Sequence, residues 1–264
     1  MRALLADRDI ACLTAPNPGP LTLSGTNTWV VGRDPAWVVD PGPASVDHLQ
    51  ALCETIDARG GLGGVVLTHD HADHSEAAPA LGERYPAAPL AGARGEVDLV
   101  LADGERAGPF VTVAAPGHSA DSYALIAHGA CFSGDAVLGS GSVFIAPHPG
   151  AMAGYMRALE RLSERAGGGE FDVICPGHGP VVADAHGKLG EYLEHRRARE
   201  RALVAALARG LRSERELLDT VWSDVPEQLR PAAAVTLAAH LDKLADDGLL
   251  PEGVERRSFE GVEW

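Results

Sequence analysis

The sequence predicts a mixed α and β protein: short strands and helices interleave in a main body, and a small helical module follows. Three observations carry this. Short apolar runs such as Gly64-Val65-Val66-Leu67, bounded by glycines and ending in polar turns, read as buried strands. Stretches such as Val46 to Ala58 place apolar residues three or four apart, which is helical spacing. At Asp184 the composition shifts into a long arginine-rich helix. At 264 residues the chain can hold one main domain with an appendage. The expected division is a main domain over 1–184, a linking helix over 185–210 and a C-terminal module over 211–264.

The elements follow in order. After the turn-rich run Pro16-Asn17-Pro18-Gly19-Pro20, strands are expected at Thr28–Val31 and Ala36–Val39, joined through Gly32-Arg33-Asp34-Pro35. The second ends at Asp40, before a forced turn, where its carboxylate could accept the outer N–H of a ligand histidine or simply form the turn. A helix over Val46–Ala58 carries Val46, Leu49, Leu52, Cys53 and Ile56 on one face. Next come the strand at Gly64–Leu67 and a short helix over Ala77–Leu81. Further strands are expected at Phe110–Ala115, Tyr123–Ala127, Ala130–Ser133 and Phe171–Cys175, with a helix over Met152–Arg165 before the last. Gly139-Ser140-Gly141-Ser142 reads as a surface loop, since no helix start follows that would make it a phosphate cradle. The long helix spans Lys188 to Ala208. Ser213 and Glu216 form a capping-box pattern, and Leu237, Leu241 and Leu244 a helical stripe closed by Gly248. Val254, Phe259 and Val262 are expected to form a short β-wing.

The chemistry concentrates at Thr68-His69-Asp70-His71-Ala72-Asp73-His74. His69 and His71 are two apart, so on an extended strand end they point to the same side. Asp73 and His74 follow on a turn that could bring them back over the same point. Imidazoles and a carboxylate so close together make a poor core and suit a borderline divalent ion such as zinc. Three further strand ends each deliver one candidate ligand: His118, Asp135 and His178. Both of those histidines sit in a Pro-Gly-His turn, where glycine lets the backbone approach closely.

Composition narrows the partners. Hydrophobic residues at 45% and charged residues at 22% describe an ordinary soluble protein. No apolar run approaches the roughly 20 residues of a membrane span. Charges within the first nine residues argue against a secretory signal, so a cytoplasmic location without membrane association is expected. Cys12, Cys53, Cys131 and Cys175 are widely spaced, without a metal or disulfide pattern, and read as reduced thiols. A net charge of −15 argues against avid nucleic-acid binding unless basic residues gather on one face.

These motifs resemble the metallo-β-lactamase superfamily, whose pattern is H-x-H-x-D-H followed by separate His, Asp and His ligands. Ser24-Gly25-Thr26-Asn27-Thr28, Phe132-Ser133-Gly134-Asp135, Pro176-Gly177-His178-Gly179-Pro180 and Glu194-His195-Arg196 extend the resemblance to its beta-lactamase-like protein 2 group. The tail, around Leu237-Ala238-Ala239-His240-Leu241, is similar to that group's winged-helix-like module. The resemblance implies an α+β four-layer αββα sandwich, the metallo-β-lactamase fold. It also implies two zinc ions per chain, with iron or manganese as alternatives that the same ligands accept. His69, His71 and His118 would hold one ion, Asp73, His74 and His178 the other, and Asp135 would bridge them. Two such ions about 3.5–4 Å apart can share a water and bring its pKa to about 7, giving a hydroxide for hydrolysis. Asp73, with Asp135 as the other catalytic carboxylate, would orient that nucleophile.

The expected function is therefore dinuclear zinc-dependent hydrolysis of a small acyl substrate (a thioester, ester or lactam). Two alternatives stand beside it. The group's known activity implies single-stranded RNA cleavage, with Arg196, Arg197, Arg199 and Arg201 as a phosphate track. Against that, Glu194 and Glu200 lie among those arginines, and a helix laced with salt bridges is the commoner meaning of the pattern. The other alternative is a non-enzymatic, zinc-bearing nucleic-acid-binding protein, which Asp242, Asp246 and Asp247 disfavour by repelling phosphates. His195 and His148 are candidate pocket residues, with His195 a candidate leaving-group acid. The tail is expected to cover the rim of the site or to support a homodimer.

Overall fold

The computed structural model describes residues 2–257. α1 (Arg2–Ala6) leads into β1 (Ile10–Thr14), which pairs antiparallel with β2 (Asn27–Val31), itself antiparallel to β3 (Ala36–Val39). After α2 (Val46–Asp57), β4 (Leu62–Val66) adds to β3 in parallel. α3 (Ala72–Ser75) and α4 (Ala78–Arg84) intervene before β5 (Leu90–Gly92) and β6 (Leu99–Val100) extend the sheet, also in parallel. The first sheet thus runs β1-β2-β3-β4-β5-β6.

The second sheet runs β11-β10-β9-β8-β7. It comprises β7 (Arg106–Ala107), β8 (Phe110–Ala114), β9 (Tyr123–Ala127), β10 (Ala130–Gly134) and β11 (Val173–Pro176). All its pairs are antiparallel except β10–β11. α5 (Ala151–Gly167) makes the crossover between those two, as a parallel pair requires.

Burial assigns the layers. Between the sheets, Trp29, Val39 and Val66 of the first meet Phe110, Leu125, Phe132 and Cys175 of the second. The Trp29 and Phe132 rings stand edge to face, 5.9 Å between centroids. On the outer face of the first sheet, Leu52 and Ile56 of α2 and Leu81 of α4 cover Val30, Val38 and Val65. On the outer face of the second, Met152, Leu159 and Leu162 of α5 cover Val113, Ala124 and Ile126. Each fully buried Val, Leu, Ile, Phe or Met among them contributes about 1.5–3 kcal/mol relative to exposure. The result is the αββα sandwich that the resemblance implies.

α6 (Ala185–Ala208) belongs to two cores. Its first half packs Leu189, Tyr192 and Leu193 into the α5 layer. Its last turns place Leu203 and Leu207 against α7 (Glu214–Val221) and α8 (Arg230–Asp246). Ser213 and Glu216 cap α7 reciprocally, as their spacing predicts. Leu237, Leu241 and Leu244 of α8 fill the tail core, while Ala239 reaches into the α5 layer. Val254 is not in a strand, and Phe259 and Val262 of the expected β-wing lie outside the described residues. No helix among the described residues is long and apolar enough to cross a membrane.

Candidate metal centre

β8, β10 and β11 run in one direction and β3 and β4 are parallel, so their carboxyl ends meet at one edge of the sandwich. Just past these ends the chain delivers Asp40 after β3, Thr68–His71 after β4, His118 after β8, Asp135 after β10 and His178 after β11. His71 is the N-cap of α3, so Asp73 and His74 lie on one helical turn rather than on the irregular turn the sequence suggests. The difference is physical: His74 N–H bonds back to His71 O, and the helix turns both side chains into the site.

Nitrogens and carboxylates converge in three overlapping groups: His69 with His71 and His118; His69 with His74 and Asp135; and Asp73 with His74 and His178. His71 Nδ1 lies 2.9 Å from His69 Nε2 and 3.0 Å from His118 Nε2. Donors around a tetrahedral zinc, with Zn–N bonds of about 2.0–2.1 Å, would stand about 3.3 Å apart, close to this spacing. Asp135 lies among both halves of the site. Its Oδ2 is 3.6 Å from His118 Nε2 and 3.3 Å from His178 Nε2, and its Oδ1 is 3.6 Å from His74 Nε2. Oδ1 is buried without a hydrogen-bond partner among the described residues. A buried orphan carboxylate oxygen facing imidazole nitrogens is costly unless a cation lies between them. The residues fit a divalent metal.

The outer atoms explain how the inner ones are aimed. Asp40 is buried and accepts from Thr68 N, from Thr68 Oγ1 and from His74 Nδ1 at 2.9 Å, leaving His74 Nε2 free to ligate. His69 Nδ1 faces Thr68 Oγ1, His118 Nδ1 the Phe144 carbonyl, and His178 Nδ1 the Gly25 carbonyl. Thr26 Oγ1 donates to Asp73 Oδ2 at 3.0 Å, and Asn27 Nδ2 holds the Pro176 and Gly179 carbonyls on either side of His178. A Cβ on Gly177 would sit 2.4 Å from Asp135 Oδ1, so that Pro-Gly-His turn needs glycine for close approach.

Electrostatics keep Asp73, Asp135, His69 and His118 in ligating form. The neighbouring carboxylates instead overcome burial and raise His74 and, to about 10, His178, whose protons a bound cation would displace. Burial works against the Asp73 carboxylate, but its hydrogen bond with His178 and the nearby His74 hold it at about 2. Burial also opposes ionised Asp135, yet His74, His178 and His118 keep it well below the usual carboxylate range. Burial pushes His118 down to about 4 and lowers His69 as well. Both carboxylates are therefore anionic, and both histidines neutral, at any ordinary pH.

The centre opens into a cavity of about 760 Å³. His71, Asp73, His118, Asp135 and His178 form its floor. Leu23, Leu138, Val143 and Phe144 of the main body line it, together with Trp222, Val225, Pro226 and Leu229 of the tail. The tail thus covers the rim of the site. His195 lines the cavity, but burial, with Arg196 and Arg199, lowers it to about 4. It is neutral at pH 7 and has no acidic proton to give a leaving group. His148 is not among the lining residues. The helix arginines are not a free track. Arg197 pairs with Glu160, Arg199 with Asp224 and Arg201 with Glu194, while Arg196 is buried.

Comparison with known proteins agrees with this geometry. The family model described as the metallo-beta-lactamase superfamily matches residues 21–100, and that of the beta-lactamase associated winged helix domain matches residues 213–253. A beta-lactamase-like protein 2 homolog of Caenorhabditis elegans is 30% identical over 271 residues, covering 94% of this chain and 86% of that one. A beta-lactamase domain protein from Burkholderia ambifaria superposes with a TM-score of 0.73 at 20% identity, covering 93% and 90% of the two chains. A protein solved in a di-iron-bound form matches with a TM-score of 0.52 at 27% identity, over 70% of this chain and 96% of that one. The chain belongs to the metallo-β-lactamase superfamily, in the group of the beta-lactamase-like protein 2 homologues. It is a metal-dependent hydrolase.

Sequence reasoning did not find the roles of Thr26, Asn27, Tyr192 and the tail side chains of the cavity. Thr26 and Asn27 stand in a motif that marks the family, but nothing in a Thr-Asn pair announces a bond to Asp73 or to the His178 turn. The tail residues are apolar and have no signal other than core.

Proposed function

We propose that this protein hydrolyses a small acyl compound with an apolar body, a thioester, ester or lactam, using two zinc ions. The observation that carries the reading is the cavity. Its volume lies within the 300–1,000 Å³ typical of small-molecule sites, and apolar side chains wall it above a floor of ligating groups. His69, His71 and His118 would hold one ion, Asp73, His74 and His178 the second, with Asp135 shared. Bound there, the ions would supply a water of lowered pKa and a Lewis acid for the acyl oxygen.

The chain's own residues do the rest. Asp73 is partly exposed at the cavity floor and anionic, so it can accept a hydrogen bond from the attacking water and aim it. Thr26 Oγ1 fixes the rotamer that allows this. Leu23, Phe144, Trp222 and Leu229 exclude water and hold the apolar body, which presents the acyl carbon to the floor. RNA cleavage is the weaker reading because the arginines it would use are paired with carboxylates or buried.

The test is a panel of acyl-thioesters, aryl esters and lactams, with end-labelled single-stranded RNA beside them. Each is incubated with zinc-loaded protein and with His71→Ala. Acyl hydrolysis at least about a hundredfold faster with the native protein is the expected result. RNA cutting without acyl turnover would replace this reading with the nuclease one. Zinc-loaded protein inert on every substrate would sink both.

A further inference from the structure

Between Asp135 and α5 the chain crosses the mouth of the cavity, and residues 142–146 are tied on both sides. On the metal side, Ala146 N donates to Gly117 O at 3.1 Å, directly before His118. The Phe144 carbonyl faces His118 Nδ1 at 3.4 Å, and the Phe144 ring stands edge-on to the imidazole, 4.7 Å between centroids. On the other side the anchors come from the C-terminal helices. Arg196 Nη2 donates to Ser142 Oγ at 2.9 Å and to the Val143 carbonyl, its guanidinium lying over the Tyr155 ring. Ile145 N donates to Thr236 Oγ1 of α8 at 3.2 Å. Upstream, Tyr192 OH receives Leu138 N and donates to the Gly141 carbonyl, both at 3.0 Å.

We infer that Thr236 and Arg196 are positioning residues: through the 142–146 strap they set the orientation of His118, so the C-terminal module is part of the metal centre. The inference rests on the metal-binding reading above. Thr236 is buried and its hydroxyl is fully used, accepting from Ile145 N and donating to the Ala232 carbonyl. Removing the hydroxyl leaves Ile145 N–H buried and unpaired, which favours a shift of the strap. Phe144 then moves with it, and the acceptor that orients His118 moves too. Groups behind a ligand that fix its ring typically account for tenfold to hundredfold in metal affinity. Thr236 acts one bond further out, so a loss of about tenfold is expected. His74 and His178 are oriented by Asp40 and Gly25, not by this strap, so their half of the site should be spared.

The test compares native protein, Thr236→Val, Thr236→Ser and Ser142→Ala, the last removing one of the two strap-side partners of Arg196 and leaving the Val143 carbonyl. Each is loaded with Co(II), read by its visible absorption, and titrated against a chelator. Thr236→Val should weaken one of two metal-binding steps about tenfold and alter the Co(II) spectrum, Thr236→Ser should restore both, and Ser142→Ala should fall between. If Thr236→Val does not fold, the same shift in Ser142→Ala carries the conclusion. A Thr236→Val protein with native affinities and spectrum overturns the inference, even with a lowered melting temperature. So does a native Ser142→Ala if Thr236→Val is unfolded. Native protein that binds no Co(II) at all would instead refute the metal reading itself.

Discussion

At the scale of single residues, the metal centre is governed by which atoms are left without a partner. Asp135 shows this best, because its carboxylate is buried against His74, His118 and His178 and yet keeps an unbonded oxygen. Asp135→Ala should therefore bind at least one metal fewer and lose most activity. Metal analysis of the purified variant beside its rate checks this, and a variant with full metal content and rate would remove the bridging role. All seven candidate ligands are legible in the sequence because each is a titratable side chain at a strand end or, for Asp73 and His74, on the turn that follows one, in a spacing that a core or a solvated face does not explain. Asp40 was half legible: its place before a forced turn suggested an acceptor, and only the fold shows that it meets His74 Nδ1 and Thr68 together. Thr26 was illegible in its role. Its bond to Asp73 joins residues 47 apart, and no local pattern encodes that distance.

At the scale of elements, periodicity places the longer helices and most of the longer strands but not α1, β1, α3 or the short β5–β7, and tertiary contacts move the ends of the rest. The helix expected over Ala77–Leu81 is α4, which runs on to Arg84, and the separate turn α3, which carries Asp73 and His74, is too short for periodicity to show. β1 is not legible: Cys12 and Thr14 are exposed, Ala11 and Leu13 only half-buried, and the sequence lacks clear polar and apolar alternation. α6 and α8 are joined by the Glu200–Lys243 ion pair, beside the buried His240, which periodicity cannot show. Glu200 lies 3.6 Å from His240 Nδ1 and 2.9 Å from Lys243 Nζ, and these partners hold it at about 2, below its ordinary 4.5. A carboxylate whose pKa is lower folded than unfolded stabilises the fold above the unfolded value, and the gain fades as pH falls through the folded value. Glu200→Gln should thus lower the melting temperature most above pH 4.5, with the difference from native protein shrinking toward pH 2. Melting curves across that range decide it, and a difference independent of pH would deny Glu200 this role.

At the scale of the whole molecule, two sheets and a helical tail meet at one edge, and the candidate ligands come from both sheets. His69, His71, Asp73 and His74 follow the first sheet, whereas His118, Asp135 and His178 follow the second. A cation bound among them cross-links the sandwich, and it binds the folded chain far better than the unfolded one, where the seven ligands are dispersed. Such binding stabilises by RT ln(1 + [L]/Kd), or about 4 kcal/mol at a free ion concentration a thousandfold above Kd. In a domain of this size, about 1 kcal/mol moves the melting temperature by about 2–4 °C. Stripping the metal with a chelator should accordingly lower the transition by about 8–16 °C per tightly held ion, and adding zinc back should restore it. The same treatment should leave the melting of His71→Ala less affected, since that variant has lost a ligand on the first-sheet side. Equal chelator sensitivity in the two proteins would mean that the metal stabilising the fold is held elsewhere.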